Sequence, residues 1–454
     1  MPWPSVASRF ANFKHQHMSS RRTFIKRTAL AGAGLTLGFP AYARTMGAND
    51  RVNVAVFGTN SRGNYLAGTF ATAKDCEVLG IGDVDTRAID KAQQTVMEKS
   101  GKKPMGDQDF RRFLDNQDID AVVIATPDHW HAPMAMMALD AGKHVYVEKP
   151  CSHNPAEGDM LVAKQAKTGL KVQMGNQTRS SVSLNRVVKE IHDGLIGDAY
   201  AGKAWYAASR GPIGEHNYTA VPEWLDWELW QGPAPRQDYD ALLVHYNWHW
   251  FWKYGTGELL NNGTHEVDMC RWALDVRYPT QVTSSGGRFA FDDAWQAYDT
   301  QLASFKFGDD KHIHWDGRSC NAMPLWDRGR GSMIYGTEGS VLMDRDGYIV
   351  YDLGGKELRR EQESESSVSM DTTGGGNLDE LHIANFIRGV NSDEHLNSDI
   401  ADANPSVTIC HLGNMAQRTA SVLNIDPETG KPLFNEGAMA LWSRQYERGW
   451  EPEV

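Results

Sequence analysis

Short apolar runs separated by amphipathic stretches dominate the first third of the chain after residue 50. Val52 to Phe57, Glu77 to Gly82, Ala121 to Ala125 and His144 to Val147 have the length and continuity of strands buried on both faces of a parallel sheet. Between them, Thr86 to Lys99, Asp109 to Leu114 and the segment from Pro133 to Ala141 show helical spacing, and Gly142 supplies a stop. Pro155 to Lys167 predicts one more helix and Leu170 to Met174 a last parallel strand. This alternation predicts a doubly wound α/β sheet over residues 51–176. From Gly202 to Tyr206 onward the period changes. Gln301 to Phe307, Lys311 to Trp315 and Ser340 to Met343 are short, alternating or β-branched, and are divided by glycine-rich turns such as Gly336 to Gly339. Strands that follow one another without helices predict an α+β domain with an open, mostly antiparallel sheet over 177–454. Arg360 to Gly376 reads as an exposed loop, and Asp379 to Arg388 and Pro405 to Leu423 as helices.

The strand–helix–strand unit from Ala121 to Val147 places the loop Thr126 to His131 and the tripeptide Glu148-Lys149-Pro150 at one carboxyl edge of the sheet. Open α/β sheets bind their ligands at that edge. The first strand feeds Gly58-Thr59-Asn60-Ser61-Arg62-Gly63, a dinucleotide-type turn with Asn60 in place of the second glycine. Asn tolerates left-handed backbone angles, and the outer glycines keep the tight turn and the close helix–strand contact. Asp83 ends the second strand, where a carboxylate accepts hydrogen bonds from adenine ribose. With Asp85 beside it, it disfavours a 2′-phosphate, so NAD is expected, and nearby Arg87 keeps NADP possible.

The patterns TP-x-x-x-H at Thr126, Pro127 and His131 and AGKHV-x-x-EKP ending at Pro150 together resemble the glucose–fructose oxidoreductase, inositol dehydrogenase and rhizopine catabolism family. The resemblance implies a nicotinamide-binding Rossmann domain followed by a sugar-binding domain. It implies cofactor contacts at Gly58, Asn60, Arg62, Gly63, Asp83, Thr126, Pro127, His131 and Glu148, and a Lys149–Pro150 bond that is often cis. Gly257 to Asp268 resembles the family's D-x-G-x-H-x-x-D with Asn261 in place of the first aspartate. Proton transfer then falls on Lys149 and His265, with Asp268 orienting the imidazole or capping its helix. Arg179, on the turn that carries the chain to the second domain, and Asn261 are expected substrate contacts. Seven of the fifteen tryptophans lie between Trp224 and Trp272, and either pack a core or stack on sugar rings; Trp250 is the expected sugar-facing member.

Composition changes the picture at the N-terminus. Ser20-Arg21-Arg22-Thr23-Phe24-Ile25-Lys26, the apolar run Ala29 to Phe39 and Ala41-Tyr42-Ala43 form a twin-arginine leader with a cleavage site, over residues 1–43. The run is too short to span a bilayer. The expectation is a periplasmic protein, folded before export, with no membrane insertion after processing and an N-terminal arm at 44–50. The leader holds six of the 46 basic residues and no acidic ones, so 40 basic residues remain against 58 acidic, a formal charge of −18. That balance argues against nucleic acid as a partner. Five scattered cysteines form no C-x-x-C, so neither a disulfide framework nor a metal site is expected; the His129-x-His131 pair has no carboxylate cluster around it.

The expected function is NAD-dependent oxidation or reduction of a sugar or glycoside, by a homo-oligomer built through the open face of the second sheet, with cofactor retained through turnover. Two alternatives remain open at this point. One is a glycosidase that oxidises a sugar transiently, eliminates the glycoside and reduces the product back; the other is a non-catalytic sugar-binding module.

Overall fold

The computed structural model describes residues 51–363 and 376–454. The expected leader, the arm at 44–50 and residues 364–375 of the expected loop lie outside the described residues. Six parallel strands form the first sheet: β1 (Val52–Phe57), β2 (Cys76–Gly82), β3 (Met105–Asp107), β4 (Ala121–Ile124), β5 (His144–Val147) and β6 (Val172–Met174). Their order is β3-β2-β1-β4-β5-β6, so the winding reverses between β1 and β4. The chain leaves these two neighbours in opposite directions and opens a crevice at their carboxyl ends.

The helix after β4 begins at Asp128 and runs to Asp140, five residues earlier than the apolar spacing indicates. Asp128 sits in its first turn, where a carboxylate faces the positive end of the helix. His129 and His131 are therefore helical rather than loop residues. Pro133 has no N–H to give to the carbonyl one turn back. That carbonyl belongs to His129, and it accepts instead from Arg444 Nη2 at 2.6 Å. The orphan left by a helical proline is thus satisfied by the C-terminal tail.

The second sheet has ten strands: β7 (Ala199–Ala207), β8 (Gln281–Gly287), β9 (Thr300–Phe307), β10 (Lys311–Arg318), β11 (Arg330–Gly336), β12 (Gly339–Asp344), β13 (Gly347–Asp352), β14 (Glu357–Gln362), β15 (Leu423–Ile425) and β16 (Pro432–Leu433). They are ordered β14-β13-β12-β11-β7-β10-β9-β8-β15-β16, with β7 and β10 parallel and the other pairs antiparallel. The helix Gly263–Leu274 packs on β7, β10 and β11.

Two expectations need correction here. Arg360 to Gln362, read as loop, pair with β13 as an edge strand. Their charge resembles loop composition because exposed edges are kept soluble by charged side chains. The helix placed at Pro405 to Leu423 spans Ile400–Arg418; Asp399 caps its start by accepting from Ala401 N, and Leu423 pairs with β8.

Late parts of the chain return to the first sheet. Ile383, Phe386 and Ile387 of the helix Gly376–Ser392 join the core of Val54, Phe70 and Tyr146. Arg444 and Tyr446 reach fully buried Glu157, and Trp450 meets Trp130 edge to face. Packing therefore does not divide at residue 177.

Candidate active site

A cavity of about 550 Å³ lies where the carboxyl edge of the first sheet meets one end of the second. The Gly58 and Thr126 loops, Glu148-Lys149 and helix 263–274 meet there with the ends of β7 and β11 and the β12–β13 turn.

Its nucleotide side is built from backbone approach. Gly58 has φ +78°, and a Cβ there would lie 2.6 Å from Thr126 N; a Cβ on Gly63 would lie 2.1 Å from Gly58 O. Both glycines are thus required to bring the two loops together, which is the cradle a pyrophosphate needs. Gly63 itself does not line the cavity, whereas Gly58, Asn60, Arg62, Thr126 and Pro127 do. Thr126 Oγ1 is buried without a partner among the described residues, a polar atom placed for a ligand. Asp83 lines the same end and accepts from Thr59 N and from Asp85 N at 2.9 Å, while burial pushes its carboxyl up. Arg87 is held by Asp85 at 2.8 and 3.0 Å and lies 3.4 Å over the Trp224 ring, so it is engaged away from a 2′-phosphate. These residues fit NAD.

Arg62 donates to Glu148 (2.7 Å) and Asp379 (2.6 Å), so Glu148 pairs with Arg62 and not with the Lys149 ammonium. His131 places Nδ1 2.6 Å from Pro150 O and Nε2 2.7 Å from Thr126 O. Although it lines the cavity, both ring nitrogens face carbonyls, and it acts as a tie between the two loops. His129 Nε2 lies 3.0 Å from Trp230 O, and burial depresses its pKa to about 3.

At the junction of the sheets stand Lys149 and His265. The Lys149–Pro150 bond is cis. Lys149 Nζ donates to Asn261 O (2.6 Å) and Oδ1 (3.3 Å). These acceptors are neutral, so at this contact the ammonium meets a dipole where an aspartate would have supplied a charge. Burial pulls Lys149 below the ordinary lysine range, against the opposing pull of Glu148. His265 is buried, and burial followed by the charges of Arg345 and Lys149 drives it well below the usual histidine range.

Asn176 fixes the tautomer of this imidazole. Its Nδ2 donates to Asp268 Oδ2 at 2.6 Å, which turns Oδ1 toward His265 Nδ1 at 2.8 Å. Nδ1 therefore carries the proton and Nε2 keeps its lone pair. Asp268 orients the imidazole through Asn176, not directly. Asn176 belongs to no motif in the sequence; its place in the polar turn after the last parallel strand, shared with Arg179, was the one available signal.

Two expected substrate contacts lie elsewhere. Arg179 is buried against Asp268, donating at 2.6 and 2.8 Å, and does not line the cavity; it neutralises the carboxylate that holds Asn176. Trp250 is buried and stacked on Trp295, with centroids 4.0 Å apart, so it is core. The tryptophans lining the cavity are Trp130, Trp230 and Trp248, joined by Tyr206, Tyr246 and His249. The sequence also passed over Arg330 and Arg345, which carry no periodic or motif signal.

Comparison with known proteins agrees with this geometry. Residues 52–176 match the model of an oxidoreductase family with an NAD-binding Rossmann fold, and residues 195–342 match that family's C-terminal α/β domain, together more than half of the chain. A glycosyl hydrolase family 109 protein of Saccharopolyspora erythraea is 32% identical over 209 residues, 41% of this chain and 45% of that protein. The chain thus spans about half the length of the curated relatives it matches. Among solved structures, the aldose-aldose oxidoreductase of Caulobacter crescentus, complexed with glycerol, superposes with a TM-score of 0.62 at 17% identity, covering 83% of this chain and 100% of that one. The WlbA dehydrogenase of Bordetella pertussis, in complex with NADH and UDP-GlcNAcA, gives 0.61 at 17% identity over 83% and 99%. The cradle at Gly58 and Gly63, the Glu148-Lys149-Pro150 edge and both family matches converge: the chain belongs to the Gfo/Idh/MocA family of NAD-binding oxidoreductases.

Proposed function

We propose that the protein is an exported, NAD-dependent oxidoreductase acting at a hydroxyl or carbonyl carbon of a sugar or glycoside, with Lys149 and His265 as the proton-handling residues. The observation that carries this reading is the pair of basic nitrogens, Lys149 Nζ and His265 Nε2, both depressed toward their neutral forms where the two sheets meet. NAD bound in the crevice supplies the hydride acceptor. The chain's part is to take the hydroxyl proton: His265 Nε2 accepts it, Lys149 shares it, and Asn261 holds the ammonium that results. Asn176 and Asp268 stabilise the imidazolium while it lasts.

Retention of the cofactor is part of this proposal. A segment of the second half closes over the end of β2: Thr86 N donates to Trp224 O at 3.1 Å, Asp226 N to Val84 O at 2.9 Å, and His245 Nε2 lies 2.8 Å from Asp85 Oδ2. The twin-arginine leader supports loading in the cytoplasm before export. Exposed Leu302 and Trp326 support assembly through the second half. A second reading, transient oxidation followed by elimination of a glycoside, is favoured by the glycosyl hydrolase family 109 relatives.

Denaturing the purified protein and assaying the supernatant for nicotinamide tests retention. Following the reduced-nicotinamide absorbance of native protein as sugars and keto-sugars are added then separates the readings. Cycles of reduction and bleaching support the oxidoreductase, and release of an aglycone without net redox change supports the hydrolase. Lys149→Ala should lower turnover by roughly 10²-fold; near-native turnover in that variant would discard the mechanism.

A further inference from the structure

The cavity is lined by four arginines, Arg62, Arg328, Arg330 and Arg345. Three have carboxylate partners: Arg62 pairs with Glu148 and Asp379, Arg328 with Asp344 at 2.6 Å, and Arg330 with Glu266 at 2.7 Å. Arg345, on the turn between β12 and β13, has no ion pair or hydrogen bond among the described residues. Its neighbours in sequence do not serve it. Asp344 is taken by Arg328, and Asp346, which also lines the cavity, makes no ion pair with it. Beside it, Arg330 Nη2 is buried and without a hydrogen-bond partner among the described residues. Burial, then the charge of Arg330, depress Arg345 to about 10, so the carboxylates further off do not balance it. A half-buried cation without a counter-ion is costly to maintain unless a ligand completes it.

The position of this charge says which ligand. After burial, Arg345 is the strongest influence on His265, ahead of Lys149 and Arg330. Arg345 lines the same cavity as His265 and Lys149, and it stands on a turn of the second sheet and not on the glycine turn that cradles a pyrophosphate. Guanidinium groups present paired N–H donors that match an oxyanion.

We propose that Arg345, assisted by Arg330 Nη2, binds an anionic substituent of the substrate, so that the sugar taken by this site is an acidic one. A carboxylate, as in a uronic or aldonic acid, or a sulfate or phosphate ester offers the same chemistry. The inference rests on the sugar-oxidoreductase reading only in taking the ligand to be a sugar.

Binding to the NAD-loaded protein by calorimetry tests it without requiring turnover. The probes are matched pairs: glucuronate against glucose, galacturonate against galactose, and glucose 6-phosphate and 6-sulfate as ester arms. A charge-assisted contact predicts about 10- to 100-fold tighter binding of an acidic member, weakening with salt. The arm that binds best identifies the anion. Arg345→Gln should bring the ratio of acidic to neutral affinity close to one, and Arg345→Lys should retain part of it, which controls for misfolding. Equal affinity for acidic and neutral members in the wild type overturns the proposal. So does loss of NAD from Arg345→Gln in step with loss of the preference, since that assigns the arginine to the cofactor's phosphates. A preference for acids without any redox change would leave the proposal standing and remove the oxidoreductase reading; redox turnover of neutral sugars without a preference would do the reverse.

Discussion

His265 depends on a residue it could not have been matched to by spacing alone. Asn176 lies between the imidazole and Asp268 and permits only one arrangement of donors, because its amide must give a proton to Asp268 and accept one from Nδ1. Asn176→Ala should therefore lower kcat by about 10-fold or more with a smaller change in KM, as expected when a positioning group and not a binding contact is removed. The nitrogen chemical shifts of His265 should show a mixed tautomer in the variant and a single Nδ1–H form in the wild type. A single form in both would remove Asn176 from the mechanism. Asn261 makes the complementary point. As a neutral acceptor for Lys149 it leaves only the more distant charges of Glu148 and Asp128 to oppose burial, so departure from the family's aspartate changes the electrostatics of the pair while preserving its position.

Among the elements, the helix Asp128–Asp140 and the C-terminal tail are interdependent. Pro133 frees the His129 carbonyl, Arg444 takes it, and the same guanidinium neutralises Glu157, which is wholly buried at the start of the helix Pro155–Thr168. Tyr446 and His153 N also donate to Glu157, but neither brings a charge. Arg444→Ala leaves a buried carboxylate uncompensated and should destabilise the fold by about 3 kcal/mol. Urea titration should show a lower midpoint with an unchanged slope. A midpoint within error of wild type would mean that the tail is not part of the cooperative unit.

Over the whole molecule, buried neutral histidines set the acid limit. His129 and His411 are depressed to about 3 and His382 to about 4, each first by burial, and His265 moves in the same direction. Unfolded, each would titrate near 6.5. Between about pH 6.5 and those lower values the unfolded chain binds more protons than the folded one, so stability rises with pH there. Each such histidine contributes a slope of about 1.4 kcal/mol per pH unit. The melting temperature should be level above pH 7 and fall steeply below about pH 6. A level profile down to pH 4 would show that these histidines are protonated in the native protein. At the same scale, N-terminal sequencing of exported protein should begin at Arg44; recovery of Met1 from the periplasm would discard the processing site.

What the sequence determined by itself was local and repetitive. Continuous apolar runs marked β1, β4 and β5 because parallel strands are buried on both faces, and the glycine turn and the TP and EKP patterns marked the ligand edge because their chemistry is carried by adjacent residues. Lys149, His265, Asp83 and Asn261 were legible for that reason, and all four line the cavity. Tertiary structure decided whatever depends on residues far apart in the chain. His131 reads as a ligand contact until its two nitrogens are seen to tie Thr126 to Pro150. Arg179 reads as a substrate contact until Asp268, 89 residues away, is seen to hold it. Trp250 and Trp248 share one short stretch, yet packing against Trp295 buries the first while the second meets the cavity. Arg345 was invisible for the same reason: its significance is the absence of a partner among the described residues, and that is a property of three-dimensional neighbours and not of neighbouring letters.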